Sequence, residues 1–161
     1  MIDVSDDDDQ PLGYLLYRAM ASLRPDVTTE LRPLGLGLPE FVCMRILSAW
    51  PGRSSAELAR STNVTPQAMH LVLRGLQDMG AVTRPASVSS GRALPARLTA
   101  KGKALLKRAE AAVQVADERL LRQLTADERR ELKRLLAAVG TRGADDSTQT
   151  WGNNFPLLAD S

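Results

Sequence analysis

Apolar residues recur every three or four positions over most of the chain, a spacing that predicts amphipathic helices. The first helix is predicted from Leu12 to Leu23, and we expect Pro25 to stop or kink it because proline lacks a backbone donor. A second helix is predicted between Pro39 and Pro51, where the same spacing returns. Its expected buried side consists of Phe41, Met44, Ile46, Leu47 and Trp50.

Two further helices follow, joined by a short turn. The first begins with a capping box, in which Ser54 is the N-cap and Glu57 lies three residues later. The second is predicted from Thr65 to Met79 and has two unlike faces. The face expected to be buried carries Met69, Val72, Leu73, Leu76 and Gly80. The face expected to be exposed carries Gln67, His70, Leu71 and Arg74.

Two short β-prone runs come next, Ala81 to Arg84 and Ala96 to Thr99, with a loop rich in Ser, Gly and Arg between them. A long helix is predicted from Ala100 to Gln123, and a last one from the capping box at Thr125 to Gly140. The long helix has an apolar stripe that the short first helix cannot cover, so we expect a second copy of the chain to pack there. The stripe comprises Leu105, Ala109, Ala112, Val113, Ala116, Leu120 and Leu124.

The order of these elements predicts a mainly α fold with a small β wing: a winged helix-turn-helix combined with a helical dimerisation bundle. A protein that recognises duplex DNA needs a helix that positions the domain, a second helix that enters the major groove, and here a basic loop beside them. We divide the chain into five segments. These are a disordered acidic tail at 1–10, an N-terminal dimerisation region at 11–37, a DNA-binding domain at 38–99, C-terminal dimerisation helices at 100–140 and a flexible or docked tail at 141–161.

Positive charge is concentrated on residues 53–103, which hold eight Lys and Arg against two Asp and Glu, although the net charge of the whole chain is only +2. Such a concentration is the electrostatic footprint of phosphate binding. The chain has no apolar run long enough to span a membrane, and its acidic start is unlike a signal peptide. We therefore expect a cytoplasmic protein with no membrane partner.

The sequence contains no motif that indicates a catalytic site or a metal site. One cysteine, Cys43, excludes an internal disulfide and a cysteine-rich metal site, and one histidine, His70, excludes a histidine-rich site. The sequence has no phosphate-cradling glycine loop and no Cys/His pair at a useful spacing. We therefore expect neither an enzyme nor a bound cofactor.

Several short motifs, taken as an ordered set, resemble the MarR family of bacterial regulators (multiple-antibiotic-resistance regulators). The motifs are Leu12-Gly13-Tyr14-Leu15-Leu16-Tyr17-Arg18, Leu34-Gly35-Leu36, Pro39-Glu40-Phe41, Ser55-Ala56-Glu57-Leu58-Ala59, Leu76-Gln77-Asp78-Met79-Gly80, Arg84 and Leu98-Thr99-Ala100-Lys101-Gly102. The resemblance covers about residues 12–140. It implies a homodimer of triangular outline that binds inverted-repeat operators in double-stranded DNA. It also implies a repressor that leaves the DNA when an aromatic acid or phenol, such as salicylate, occupies the crevice between the two parts of the subunit.

The chain departs from the family pattern at three places. The wing tip, Ser87 to Arg92, carries one arginine where the family usually has an acidic residue and a basic pair. Leu71 stands where a basic residue is common, and Pro25 interrupts a helix that is usually continuous. The first two departures concern base preference, and the third concerns the geometry of the dimer.

Ten residues are predicted to contact DNA: Ser54, Thr65, Pro66, Gln67, His70, Leu71, Arg74, Arg84, Ser90 and Arg92. Thr65 and Pro66 begin the recognition helix, whose free N–H groups and positive dipole end favour a nearby phosphate. Arg84 is a candidate for a phosphate contact or a salt bridge. Arg92, in its Ser/Gly loop, can enter a narrow minor groove, where the negative potential is concentrated.

The exposed side of the recognition helix offers the base contacts. Gln67 can form two hydrogen bonds with adenine N6 and N7, while His70 and Arg74 can donate to guanine or to phosphate. Leu71 can touch only a thymine methyl group or a sugar. Base contacts choose the site and phosphate contacts set affinity, so we expect Gln67→Ala to change the ranking of operators and Arg92→Ala to weaken binding broadly.

Six residues near the expected crevice are predicted to bind the ligand: Tyr14, Tyr17, Arg18, Phe41, Met44 and Trp50. An aromatic carboxylate needs apolar walls for its ring and one arginine for its two oxygens. Arg18 is the first candidate for that arginine. The alternative role of the aromatic residues is to pack the dimer junction.

Two other functions stay open at this point. Cys43 suggests a thiol- or peroxide-sensing repressor, which needs an exposed thiol with a lowered pKa, although its apolar surroundings indicate a core residue. The winged helix can also serve as a protein-interaction module without DNA binding. Sequence-selective, salt-dependent affinity for DNA would separate that module from a regulator.

Overall fold

The computed structural model describes residues 10–85 and 94–140. Within these residues the chain forms six α-helices, a single 3₁₀ turn at Arg32–Leu34 and a two-stranded antiparallel sheet. In chain order the elements are α1 (Leu12–Leu31), α2 (Leu38–Ala49), α3 (Ser55–Thr62), α4 (Pro66–Asp78), β1 (Val82–Thr83), β2 (Arg97–Leu98), α5 (Ala100–Leu120) and α6 (Ala126–Gly140). The predicted fold class, mainly α with a small β wing, is confirmed.

The chain divides into two units, of which the first extends to Leu120 and contains the core. This core draws on α1 to α5 and on both strands. Its largest fully buried side chains are Leu31, Met44, Leu47, Leu58, Met69, Leu73, Leu76 and Cys43. Each buried leucine contributes about 1.5–3 kcal/mol, so this cluster is what holds α4 against the other helices.

The sequence predicted an end at Leu23, with Pro25 stopping or kinking the helix, but α1 does not stop there and continues to Leu31. Proline in a helix interior costs about 3 kcal/mol, because it removes one hydrogen bond and crowds the preceding turn. The residues beyond it offset this cost, since Val27 and Leu31 are buried in the core. An ion pair between Glu30 and Arg119, 2.6 Å long, further ties this end of α1 to α5.

Helix α2 buries a different set of residues from the one predicted. Met44 and Leu47 are buried as expected, but Cys43 joins them, and Trp50 is 51% exposed. The prediction that Trp50 is buried was wrong because α2 ends at Ala49, and Trp50 is its C-cap with non-helical backbone angles.

Helix α5 ends at Leu120, about one turn before the predicted end at Gln123. Thr99 caps the start of α5, since its hydroxyl accepts a hydrogen bond from the Gly102 N–H at 2.9 Å. Leu106 is the buried leucine of the first turns, and Leu105 is only partly buried.

The second unit, from Leu121 onward, contains α6. The predicted capping box opens it: the Glu128 carboxylate accepts from the Thr125 N–H at 2.7 Å, and the Glu128 N–H donates to the Thr125 hydroxyl at 3.3 Å. The Thr125 N–H and the Thr125 hydroxyl both donate to the Glu128 carboxylate and hold the pKa of this carboxyl below its usual value.

Candidate nucleic-acid interface

Helices α3 and α4 form the predicted helix-turn-helix, and their ends are defined by side-chain caps. Asn63 ends α3 in the left-handed region at φ 52°, a conformation that asparagine tolerates better than most residues. Thr65 then caps α4, accepting a hydrogen bond from the Ala68 N–H at 3.2 Å. Pro66 is the first residue of α4, where a missing N–H costs nothing.

Helix α4 has one face in the core and one in solvent, as predicted, although the helix ends at Asp78 and Gly80, which was expected on the buried face, is exposed. Met69, Leu73 and Leu76 are 0% exposed. The opposite face exposes Gln67, His70, Leu71 and Arg74. Leu71 is 66% exposed, the largest exposed fraction among the large apolar side chains of the described residues. The exposed face of α4 is thus a mixed polar and apolar surface whose side chains take no part in the core and are available for binding.

The wing begins and ends beside this helix. Strands β1 and β2 pair in antiparallel register, with Val82 opposite Leu98 and Thr83 opposite Arg97. A bridge from Arg53 to Ala96 extends the pairing to the segment before α3. Two predicted contacts at the wing tip, Ser90 and Arg92, lie outside the described residues.

A groove brings α3, α4 and the wing base together. Five of the predicted DNA contacts line it: Pro66, Gln67, His70, Leu71 and Arg84. Sequence reasoning missed its other lining residues, which are Ser55, Ala56 and Leu94. The position of Ser55 and Ala56 in the first turn of α3 was the available signal. We call this surface the recognition groove.

Ser54 is the predicted contact that the structure supports least. It is only 7% exposed, and its hydroxyl donates to the Glu57 carboxylate at 2.9 Å while accepting the Glu57 N–H at 3.2 Å. The N–H and hydroxyl of Ser54 hold the pKa of the Glu57 carboxyl below its usual value. Ser54 is therefore a helix cap, and its burial argues against a DNA contact.

The structure places the predicted ligand residues in different surroundings. Arg18 lies over the ring of Tyr14 at 5.9 Å, and the neighbouring Tyr17 is 46% exposed. Met44, by contrast, is fully buried in the core, and Trp50 is half exposed. Phe41 is partly buried against the core. Trp50 also has an arginine over its exposed ring, Arg53 at 5.9 Å. Exposed aromatic rings beside an arginine therefore occur on α1 and at the end of α2, whereas Met44 belongs to the packing rather than to an open binding surface.

Cys43 is unsuited to sensing oxidants. Its side chain is 0% exposed. Burial, followed by the nearby Glu40 carboxylate, raises the pKa of the Cys43 thiol to about 12. A sensor thiol needs the reverse, an exposed site that favours the thiolate. Within the described residues, moreover, no three His, Cys, Asp or Glu side chains form a group that could hold a metal ion.

We expect Cys43 in the folded protein to react with Ellman's reagent at pH 8 at least about a hundredfold more slowly than in denaturant, because a raised pKa leaves almost no thiolate. Absorbance of the released thiolate at both conditions checks this. Rapid labelling of the folded protein would contradict the buried position and revive the thiol-sensing hypothesis.

The chain is similar to known proteins in both sequence and structure. A model of the MarR family matches residues 36–94, which include α2, the helix-turn-helix and most of the wing. The HTH-type transcriptional repressor Rv2887 of Mycobacterium tuberculosis is 66% identical over 134 residues, which cover 83% of this chain and 96% of the relative. The chain belongs to the MarR family. It is accordingly a transcription regulator and not an enzyme.

Solved MarR family structures share this fold. The Mycobacterium tuberculosis protein Rv2887 in complex with DNA matches with a TM-score of 0.72 and 61% identity, covering 82% of this chain and 99% of that one. The same protein in complex with salicylic acid matches with a TM-score of 0.71 and 66% identity, covering 83% and 99%. None of the helices in the part of the present chain that the structure describes is long and apolar enough to cross a bilayer.

Proposed function

We propose that this MarR family protein is a homodimeric, cytoplasmic repressor that binds an inverted-repeat operator through the recognition groove. The observation that carries the proposal is the division of α4, whose apolar side is in the core while Gln67, His70 and Leu71 line an open groove. A helix held this way can enter the major groove and touch base edges. The complex of the Mycobacterium tuberculosis relative with DNA supports the same function.

Charge and helix polarity favour DNA at this surface. Residues 53–103 carry eight basic and two acidic side chains, and they include the whole helix-turn-helix. The exposed Arg74 adds positive charge beside the base-reading positions. Thr65 and Pro66 begin α4, where unpaired N–H groups favour a phosphate. We therefore propose that Thr65 and Pro66 contact a DNA phosphate and that Gln67 contacts the edge of a base.

A second copy of the chain accounts for apolar side chains that the single chain leaves in solvent. They lie on three helices: Leu12 and Leu16 on α1, Val115 on α5, and Leu135, Leu136 and Val139 on α6. Exposed apolar side chains grouped on one helix, as on α1 and again on α6, are typical of a protein interface. A two-fold dimer also presents two recognition helices to the two halves of an inverted repeat.

We also propose that a small aromatic acid releases the DNA. The relative's complex with salicylic acid supports this ligand class. In the present chain Arg18, stacked on Tyr14 next to Tyr17, offers a guanidinium for the carboxylate and aromatic surfaces for the ring. Release requires that the acid bind the dimer more tightly when its recognition helices are spaced unfavourably for DNA.

Fluorescence anisotropy with labelled DNA from upstream of the protein's own gene tests both proposals. We expect selective binding that weakens steeply between 50 mM and 200 mM salt, because phosphate contacts release counterions. Millimolar salicylate is expected to raise the Kd, and Arg18→Ala is expected to reduce that response without changing the Kd in its absence. Arg24→Ala, the same change two turns along α1, serves as the control.

Binding no tighter than to scrambled DNA would direct the search to operators selected from random sequences. Failure there as well would contradict the repressor and leave a protein-interaction module. A Kd unaffected by salicylate, with selective binding intact, would contradict only the ligand proposal.

A further inference from the structure

Gln77 holds the side chain of Arg84 where the recognition helix meets the wing. Its Oε1 accepts two hydrogen bonds from the guanidinium, at 3.1 Å from Nε and 2.9 Å from Nη2. Gln77 lies in the last turn of α4, and Arg84 directly follows β1. The two bonds therefore connect the base-reading helix to the first strand of the wing. Sequence reasoning had selected Arg84 but not its partner.

The two bonds to Gln77 fix the guanidinium of Arg84 but leave its Nη1–Nη2 edge available to bind a phosphate. Arginine has five N–H donors in a planar fork, and Gln77 engages only the edge formed by Nε and Nη2. The edge formed by Nη1 and Nη2 has the spacing that binds two oxygens of a phosphate. Arg84 also lines the recognition groove together with Gln67 and His70. A DNA strand at that groove therefore meets an arginine whose rotamer is already set.

The neutrality of Gln77 is as important as its position. A carboxylate at this position would accept the same two bonds but would cancel the charge of the guanidinium. We infer that Gln77 is a positioning residue for DNA binding, orienting Arg84 toward a phosphate at the base of the wing while leaving its positive charge intact. The inference rests on the proposed function, DNA binding through the recognition groove.

Four single variants and one double variant test the inference: Gln77→Glu, Gln77→Ala, Arg84→Ala, Gln77→Ala combined with Arg84→Ala and, as a control for added negative charge, Gln123→Glu in the exposed turn after α5. The probe is a duplex that the wild-type protein selects from random DNA. Its Kd is measured by fluorescence anisotropy at several salt concentrations, and thermal unfolding is followed for each variant.

We expect Arg84→Ala to weaken binding about tenfold or more. It should also reduce the salt slope, the slope of log Kd against log salt concentration, by about two, because each half of the dimer loses one phosphate contact. Gln77→Glu should produce nearly the same loss of affinity and slope while leaving the Tm unchanged or higher. Gln77→Ala should weaken binding up to about tenfold with the slope retained, because a freed arginine must be ordered on binding.

A merely structural role predicts the opposite for Gln77→Glu, since an ion pair with Arg84 would keep the wing in place and the DNA affinity intact. Wild-type affinity and slope in that variant would overturn the inference. So would a further loss from Gln77→Ala when Arg84 is already alanine. If the wild-type protein itself shows no selective, salt-dependent binding, the proposed function fails and the inference fails with it.

Discussion

Replacing Gly102 with alanine is expected to lower the free energy of unfolding by about 3 kcal/mol, among the largest effects of a single methyl group. A Cβ at this position would lie 1.9 Å from the carbonyl oxygen of Ala81 and 2.8 Å from its carbonyl carbon. Both atoms belong to the backbone, so no side-chain rotation relieves the overlap. Helix α5 or the start of β1 must therefore move.

The movement would disturb a hydrogen-bonded junction. The Ala81 carbonyl accepts the Thr99 N–H at 3.0 Å, and the Thr99 hydroxyl donates to the Gly80 carbonyl at 2.6 Å while capping α5 through Gly102. Wing and long helix are joined at this point. We expect the Tm of Gly102→Ala to fall by about 6–12 °C, from roughly 2–4 °C per kcal/mol in a chain of this size.

Gly75→Ala is the matched control, since nothing lies within 4 Å of a Cβ placed at that exposed position of α4. Alanine favours a helix interior over glycine by about 1 kcal/mol, so this variant should be more stable than the wild type. Thermal and denaturant unfolding at one protomer concentration measure both, because dimers gain stability with concentration. Equal stability of the two variants would show that the close approach of Gly102 is not the cause.

Local signals predicted the elements of this fold well, and the interior packing less well. Ser54 and Thr125 were identified as caps from sequence spacing alone, because a capping box depends on two side chains three residues apart. The predicted end of α1 at Leu23 and the predicted burial of Trp50 were wrong, because the local sequence alone decides neither of them. Burial of residues beyond Pro25 outweighs its local cost, and the position of Trp50 depends on where α2 ends.

The candidate site shows the same contrast. Helical periodicity alone separated Gln67 and His70 from the buried face of α4, since the two faces differ in polarity. The hydrogen bonds between Gln77 and Arg84 join two elements across a turn, and no rule of residue spacing predicts them. The reason that glycine stands at 102 is equally non-local, because the carbonyl that it accommodates belongs to Ala81.

Gln67→Ala is expected to change which operators the protein prefers. An amide that forms two bonds with adenine contributes about 1–3 kcal/mol of discrimination at each base pair. A dimer on an inverted repeat uses this contact twice, so affinity for the preferred operator should fall at least about 30-fold. Operators with another base pair at that position should lose much less. Kd values for a panel of single-base operator variants, measured at one salt concentration, test this ranking.

Arg84→Ala is the informative comparison, because a phosphate contact carries no base information. It should weaken every operator by a similar factor and leave their order unchanged. Gln67→Ala should keep the salt slope of the wild type, since the number of phosphate contacts is the same. Its residual affinity for scrambled DNA should also persist, so the ratio of specific to non-specific binding falls although the protein still binds. An identical order of operators in both variants would contradict the assignment of Gln67 to a base and of Arg84 to the backbone.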